Sequence, residues 1–273
     1  SKWAFLAYVF AFFGMIGGLP AVQSNQMVQI ISEFALPVLS FDNQLVFNMI
    51  CGLIIAVLAG TVIIGGLTRI AKASSWLVPI MGGLYVFTAT FILIANFEDV
   101  PSVIKIIFSD AFTGTSVAGG TLMGVIMYGI QRGAFSNEAG IGTEALIHGT
   151  AKTNNPIKQG FVAMIGPIFD TLLICTATAV VIILSGLWMG DQYSGVSLTA
   201  MAFQTFLGSA GIAVVFLCVV FFGISTIFTY SYYGSVCARF LFGPKGQRVY
   251  LYIFIATIIF FASISLDLSL IHI

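Results

Sequence analysis

The stretch "YGIQRGAFSNEAGIGTEALIHG", Tyr128 to Gly149, decides how this sequence is read. The chain on either side is almost continuously apolar. Here it gathers Arg132, Asn137, Glu138, Glu144 and His148 with five glycines, Gly129, Gly133, Gly140, Gly142 and Gly149. Each glycine costs about 1 kcal/mol relative to alanine inside a helix. An ionisable side chain within a bilayer costs several kcal/mol more and faces a cavity or a partner. "FSNEAGIG" combines both liabilities, so the sequence predicts a helix interrupted at this point. Freed amides at such a break can bind a carboxylate and freed carbonyls a cation, and glycine lets a ligand approach the backbone closely. A second reading stays open for Arg132, Glu144 and His148, in which they solvate a helix end at the membrane rim.

Outward from this stretch, the 273 residues are 59% hydrophobic and only 7% charged, with a mean hydropathy of +1.07. A soluble domain carries about a quarter charged residues, so the composition is that of an integral membrane protein. Ten Lys and Arg balance ten Asp and Glu, which implies neither a nucleic-acid surface nor an acidic substrate. Cys51, Cys175, Cys218 and Cys237 all fall inside apolar runs without a CxxC pair, and so read as small buried hydrophobes.

A spanning helix needs about 20 apolar residues. Seven stretches qualify: 3–31, 45–67, 76–97, 117–135 with a continuation to 148, 157–187, 208–242 and 249–266. Val100–Phe112, "VPSVIKIIFSDAF", is too short to span and reads as an amphipathic helix at the interface; residues 195–206 are expected to behave alike. Lys2, Arg69, Lys72, Lys152, Lys158, Arg239, Lys245 and Arg248 fall on one side when the spans alternate. Glu33, Asp42, Glu98, Asp99, Asp110 and Asp191 fall on the other, with Lys105 the one basic residue among them. The excess of Lys and Arg in cytoplasmic loops places residue 1 inside, in a multi-pass cell (cytoplasmic or inner) membrane protein.

Residues 1–267 are expected to be one transmembrane transporter domain, incomplete at both ends. The tail "LSLIHI", 268–273, translates one frame of a transposase adapter used to fragment DNA for sequencing. It is expected to be non-native, which leaves His272 uninterpreted; the alternative is a membrane protein ending in apolar residues.

Two further polar clusters lie within spans. In "GGLPAVQSNQ", Pro20 removes a backbone hydrogen bond and leads to Gln23, Ser24, Asn25 and Gln26. Gln23 then offers an amide to a ligand, unless the cluster is simply the outer end of the span. In "FFGISTIFTYSYYG", Ser225, Thr226 and Thr229 place hydroxyls on overlapping helix faces. Such hydroxyls often only bond back to the preceding turn, although a sodium ion also wants oxygen ligands. Asp170 in "GPIFDTLLICTATA" is an intramembrane carboxylate and hence a functional candidate. No HExxH, GxSxG or Walker-type loop occurs, and Asp170 has no second aspartate to complete a protease pair, so the chain is not expected to be an enzyme.

"RGAFSNEAGIGTEALIHGTAKTNNPIKQGFVAMIGPIFDTLLICTATAVVIILSG" resembles the hallmark region of the alanine or glycine:cation symporter family. "GGLTRIAKASSWLVPIMGGLYVF", "AFTG", "STIFTYSYYG" and "SLDL" match that family's pattern in the same order, from Lys2 to Leu268. The resemblance implies an all-α, inverted-repeat leucine-transporter type of fold with ten core helices in two repeats of five. This chain would hold the third to ninth, about seven transmembrane helices. It would lack the first two, including an interrupted helix carrying the family's threonine–glycine–asparagine motif, and the tenth. On the same resemblance, Gln23 and Asn25 are substrate-facing. Phe135, Ser136 and Asn137, with Gly140, form the pocket floor on the broken helix. Ser225 and Thr226, with Thr229, would supply hydroxyls to sodium. "GTEALIHG" departs from the family pattern, which has small residues there, and is expected to alter the inner pathway more than recognition.

The reading that follows is a secondary active transporter. It would carry a small neutral amino acid, alanine or glycine, into the cell by sodium-coupled symport, with sodium as coupling ion and no cofactor. No obligate protein partner or nucleic acid is expected, and the fragment itself is expected to be inactive. The near alternative is proton coupling with Asp170 or Glu138 as carrier. A passive channel or a non-transporting subunit is the more distant one.

Overall fold

Asparagine and glycine set the ends of several helices. Asn43 accepts hydrogen bonds from the amides of Leu45 and Val46 through its side chain, and Asn155 accepts from Ile157 and Lys158. Each thereby satisfies amides that have no partner within the helix it starts. Pro156 sits at the first position of its helix, where no N–H is needed. At the other end, Gly186 and Gly208 stop helices with φ of 71° and 60°, a left-handed backbone that glycine adopts without a steric penalty.

The computed structural model describes residues 3–39, 43–112, 122–138, 141–190 and 192–264. Among them all regular structure is helical. In order these are α1 (Ala4–Gly17), α2 (Ala21–Leu39), α3 (Gln44–Ile63), α4 (Leu67–Ala95), α5 (Val100–Phe112), α6 (Leu122–Asn137), α7 (Thr143–His148) and α8 (Pro156–Ile168). A π-helical segment, Phe169–Cys175, leads into α9 (Thr176–Ser185), followed by α10 (Gly195–Leu207) and α11 (Ser209–Ser263).

Among the described residues, five elements are long and apolar enough to cross a membrane: Ala4–Leu36, Gln44–Ile63, Leu67–Ala95, Pro156–Ser185 and Ser209–Ser263. The expected sixth and seventh stretches are both helical and meet at a kink within α11. That element turns at Gly243 (φ 72°, ψ −170°) just before Pro244, because the residue before a proline is pushed out of the α region. The fourth expected span is represented by α6, whose 16 residues fall short of a full crossing. The first contains a break: α1 ends at Gly17 and α2 restarts after Pro20. Gln23 to Gln26 therefore open a new helix rather than end an old one. The tail 268–273 lies outside the described residues.

The chain forms two compact units. The first comprises residues 1–83 and 215–273. Its core joins Met27 and Val28 of α2, Phe47, Ile55, Ala59 and Ile63 of α3, and Ile227, Phe254 and Ile258 of α11. Where helices meet most closely, glycine replaces a side chain. A Cβ at Gly52 would stand 2.7 Å from that of Ala262, one at Gly223 2.2 Å from the Met27 sulfur, and one at Gly234 1.9 Å from the Tyr250 hydroxyl. Small residues at helix contacts are the usual means of tight packing in membranes, where no hydrophobic force separates helix from lipid.

The second unit comprises residues 84–214. Val181, Ala200, Ala202 and Phe203 are fully buried in it. Tyr85 shares a 2.6 Å hydrogen bond with Thr178, and its ring stacks 5.4 Å from that of Phe203. α10 buries Ser197, Ala200, Ala202 and Phe203, and its small residues allow close packing on α9.

Candidate functional site

The glycine-rich stretch breaks where its composition predicts. α6 ends at Asn137, Glu138 takes a left-handed conformation (φ 57°), and α7 begins after Gly142 (φ 90°). A left-handed non-glycine residue costs about 1–3 kcal/mol and persists only where its surroundings hold it. Glu138 is held by its own side chain, which accepts a 2.8 Å hydrogen bond from the Thr143 hydroxyl across the break. Glu138 is thus committed to bridging the two helix ends. Gly140 lies outside the described residues, and Phe135 is described only as a backbone position in α6.

The last two residues of α6 dock onto the π segment. The Ser136 hydroxyl donates to Asp170 Oδ2 at 2.7 Å, and Asn137 Nδ2 donates to Thr171 Oγ1 at 3.0 Å. The Cys175 sulfur is 3.7 Å from Ser136 Oγ. The two bonds run in register, residue against residue, so one adjacent polar pair reads another. The widened turn begins two residues after Pro167, which supplies no N–H to the helical ladder. Thr176 returns its hydroxyl to the Thr171 carbonyl five residues back at 3.1 Å. Single π turns inside α-helices occur frequently at functional sites.

Beyond the break, α7 packs along α8. The Glu144 carboxylate lies against Gly166, and its Oε1 stands 3.3 Å from His148 Nε2. His148 Nδ1 in turn meets the Gln159 amide nitrogen at 2.7 Å. A cleft of about 570 Å³ opens here, lined by Glu144, His148, Thr153, Asn154 and Gln159 among others. The departure "GTEALIHG" is therefore a tether between two helices. Replacing His148 with leucine removes the Gln159 hydrogen bond and the Glu144 contact, and amide hydrogen exchange across residues 143–149 is expected to speed about tenfold, as the loss of one hydrogen bond implies. Unchanged protection there would show that the tether does not hold α7.

The remaining candidates lie in the first unit. Asn25 is buried, and its amide donates to the Ile264 carbonyl. Ser24 is fully buried, and among the described residues neither its hydroxyl nor Gln23 Oε1 has a hydrogen-bond partner. Ser225 and Thr226 both donate to the Phe222 carbonyl, at 2.9 and 2.8 Å, and Thr229 donates to that of Ser225 at 3.1 Å. Their protons are spent within the helix, which leaves the oxygen lone pairs as acceptors. Asp170 is brought to Ser136, whereas Gln23, Asn25 and the hydroxyls of α11 belong to the other unit. Sequence reasoning missed Thr171, Thr143 and Gln159. Thr171 stood beside Asp170 in "DT", and its only signal was adjacency matching that of "SN".

Several long apolar helices, with a shorter helix ending at a polar pair that docks on an intrahelical carboxylate, are the features of a multi-pass membrane protein. Comparison with known proteins gives the family. A match to the sodium:alanine symporter family covers residues 1–272, and the chain belongs to that family. It is a family of transporters and not of enzymes.

The chain is 41% identical over 220 residues to the uncharacterized transporter YflA of Bacillus subtilis, covering 78% of this chain and 47% of that protein. It is 35% identical over 271 residues to the sodium/alanine symporter AgcS of Methanococcus maripaludis, covering 96% and 57%. With a sodium/proton-dependent alanine carrier protein of Bacillus sp. PS3 it shares 31% identity over 238 residues, covering 82% and 51%. The chain spans about half the length of the curated relatives it matches.

Proposed function

We propose that this chain is part of a sodium-coupled symporter that brings a small neutral amino acid, alanine or glycine, across the cell membrane. The observation that carries the reading is the broken helix α6, whose terminal Ser136 and Asn137 are locked to Asp170 and Thr171. It occurs in a member of a sodium:alanine symporter family. AgcS is named a sodium/alanine symporter, which supports both cargo and ion.

On this proposal the chain supplies the third to ninth core helices of a leucine-transporter-type fold within one transporter domain. Residue 1 is on the cytoplasmic side. Phe135, Ser136, Asn137 and Gly140 are the substrate-binding candidates of the broken stretch, and Gln23 and Asn25 those of α2. Ser225, Thr226 and Thr229 offer oxygens to sodium. Ion and substrate are coupled because both favour the same arrangement of the helices. No cofactor or obligate protein partner is required.

Proton coupling is the second reading. The sodium/proton-dependent relative favours it, with Asp170 or Glu138 as the carrier. The test is labelled alanine uptake by the full-length protein in liposomes. Sodium-driven, saturable accumulation against a gradient is the expected result. Accumulation driven by a pH gradient and indifferent to sodium would establish the second reading, and the absence of saturable alanine or glycine uptake would overturn both.

A further inference from the structure

The two arms of α11 meet at an elbow, Gly243 and Pro244. Arg239 precedes it, and Lys245 and Arg248 follow it, all three exposed. No Asp or Glu occurs between Asp191 and Asp267, and among the described residues none of the three basic side chains forms an ion pair. Glu33 is the sole acidic side chain among the described residues of this unit, and packing holds it at the other end. A Cβ at Gly18 would touch the backbone of Tyr230 and Gly234, and one at Gly223 would meet Met27. α2 therefore runs antiparallel to the first arm, which puts Glu33 roughly 30 Å from Arg239 along the pair.

The surface beside the three charges is apolar. Lys245, Arg248, Val249 and Tyr252 follow the spacing of one helix face, and the last two are 58% and 66% exposed. On the first arm Phe240 and Phe242 are exposed as well, and the Phe240 ring rests 5.1 Å from that of Tyr8. The face is thus cationic at the elbow and becomes apolar within about two helical turns. An anionic head on a hydrocarbon tail matches both parts, whereas a free phosphate leaves the apolar part uncovered. Both arms belong to an element long and apolar enough to cross a membrane, and aromatic and basic side chains are the usual contacts of such an element with headgroups.

We infer that the elbow of α11 is a binding site for an anionic phospholipid. The phosphate lies among Arg239, Lys245 and Arg248, and an acyl chain runs along Val249 and Tyr252. The lipid touches basic side chains on both arms, so its binding fixes the elbow. The inference is independent of the cargo and of the coupling ion.

The experiment uses the full-length protein, stripped of lipid in a neutral detergent. Phosphatidylglycerol is expected to raise the Tm by several degrees more than phosphatidylcholine at equal mole fraction. A Lys or Arg near an anionic surface is worth about fivefold in binding. Lys245→Gln and Arg248→Gln are each expected to weaken the phosphatidylglycerol response about fivefold, and together about 25-fold. Lys158→Gln, which removes an exposed charge outside this unit, is expected to respond as wild type.

Equal Tm rises with the two lipids would overturn the inference, as would a wild-type response from the double variant. A loss with Lys158→Gln as large as with Lys245→Gln would assign the effect to overall charge and remove the elbow site. The same rise from inorganic phosphate would reveal a free-anion site and remove the lipid. Substitutions at exposed positions change stability little. If the double variant nevertheless does not fold, native mass spectrometry of wild type and Arg239→Gln decides. Wild type is expected to retain phosphatidylglycerol over phosphatidylcholine, and Arg239→Gln to retain less of it. Equal retention of both lipids by wild type, or unchanged retention in Arg239→Gln, would overturn the inference.

Discussion

Asn137→Ala in the full-length protein is expected to raise the KM for alanine by about tenfold to a hundredfold. Asn137 is the last helical residue of α6, and its amide holds Thr171 Oγ1 at 3.0 Å. A hydrogen bond to a charged group is worth about 1.5–3 kcal/mol, and each 1.4 kcal/mol is about tenfold in affinity. The zwitterion of an amino acid presents such groups to whatever amide forms the pocket floor. The helix break itself does not depend on this side chain, because the turn is made by Glu138 and tied by Thr143. The variant is therefore expected to fold with a Tm within a few degrees of wild type. Initial uptake rates against alanine concentration, with Tm alongside, decide the matter. A KM within twofold of wild type would remove Asn137 from the substrate site.

Gly234→Ala should be the most damaging small change in the first unit. A Cβ at this position would lie 1.9 Å from the Tyr250 hydroxyl and 2.3 Å from the ring carbon that bears it. Tyr250 is buried at 6% exposure and donates to the Met15 carbonyl at 3.0 Å, tying α11 to α1. The phenol cannot fold aside as a flexible chain would, so the ring leaves its slot or the helices part. Overpacking costs about 1–3 kcal/mol, and a buried group left without its partner about 1–3 kcal/mol more. A loss of about 2–6 kcal/mol follows, read as a lower Tm in detergent. Tyr250→Phe with Gly234 intact should lose only the hydrogen-bond share. If Gly234→Ala melted with wild type, the close approach would not be a packing requirement.

The two predictions draw on different kinds of legibility. Asn137 was visible as a polar residue at a glycine-weakened point of an apolar run, a property of about eight consecutive residues. Gly234 was not visible as special among 29 glycines, because nothing in "YSYYGSVC" reveals that a tyrosine 16 positions later will occupy its missing side chain. Asp170 was legible as an intramembrane carboxylate and Thr171 was passed over, since its role exists only opposite Asn137. The hydroxyls of Ser225, Thr226 and Thr229 were legible in number, and their bonds to helix carbonyls matched the bland alternative already open for them.

By itself the sequence determined the membrane class, the position of most apolar helices and the break after Asn137, while its motifs carried the resemblance to the family. These follow from the transfer cost of each side chain and the local cost of glycine and proline, which add up along the chain without reference to distant residues. Only the tertiary structure decided that Ser136 meets Asp170 and Asn137 meets Thr171, that the helix after Pro167 opens into a π turn, and that His148 bridges Glu144 and Gln159. Pairings between separate helices depend on how far each has rotated and slid along its neighbour. That is set by packing over whole helix faces, down to the few glycines where backbones nearly touch.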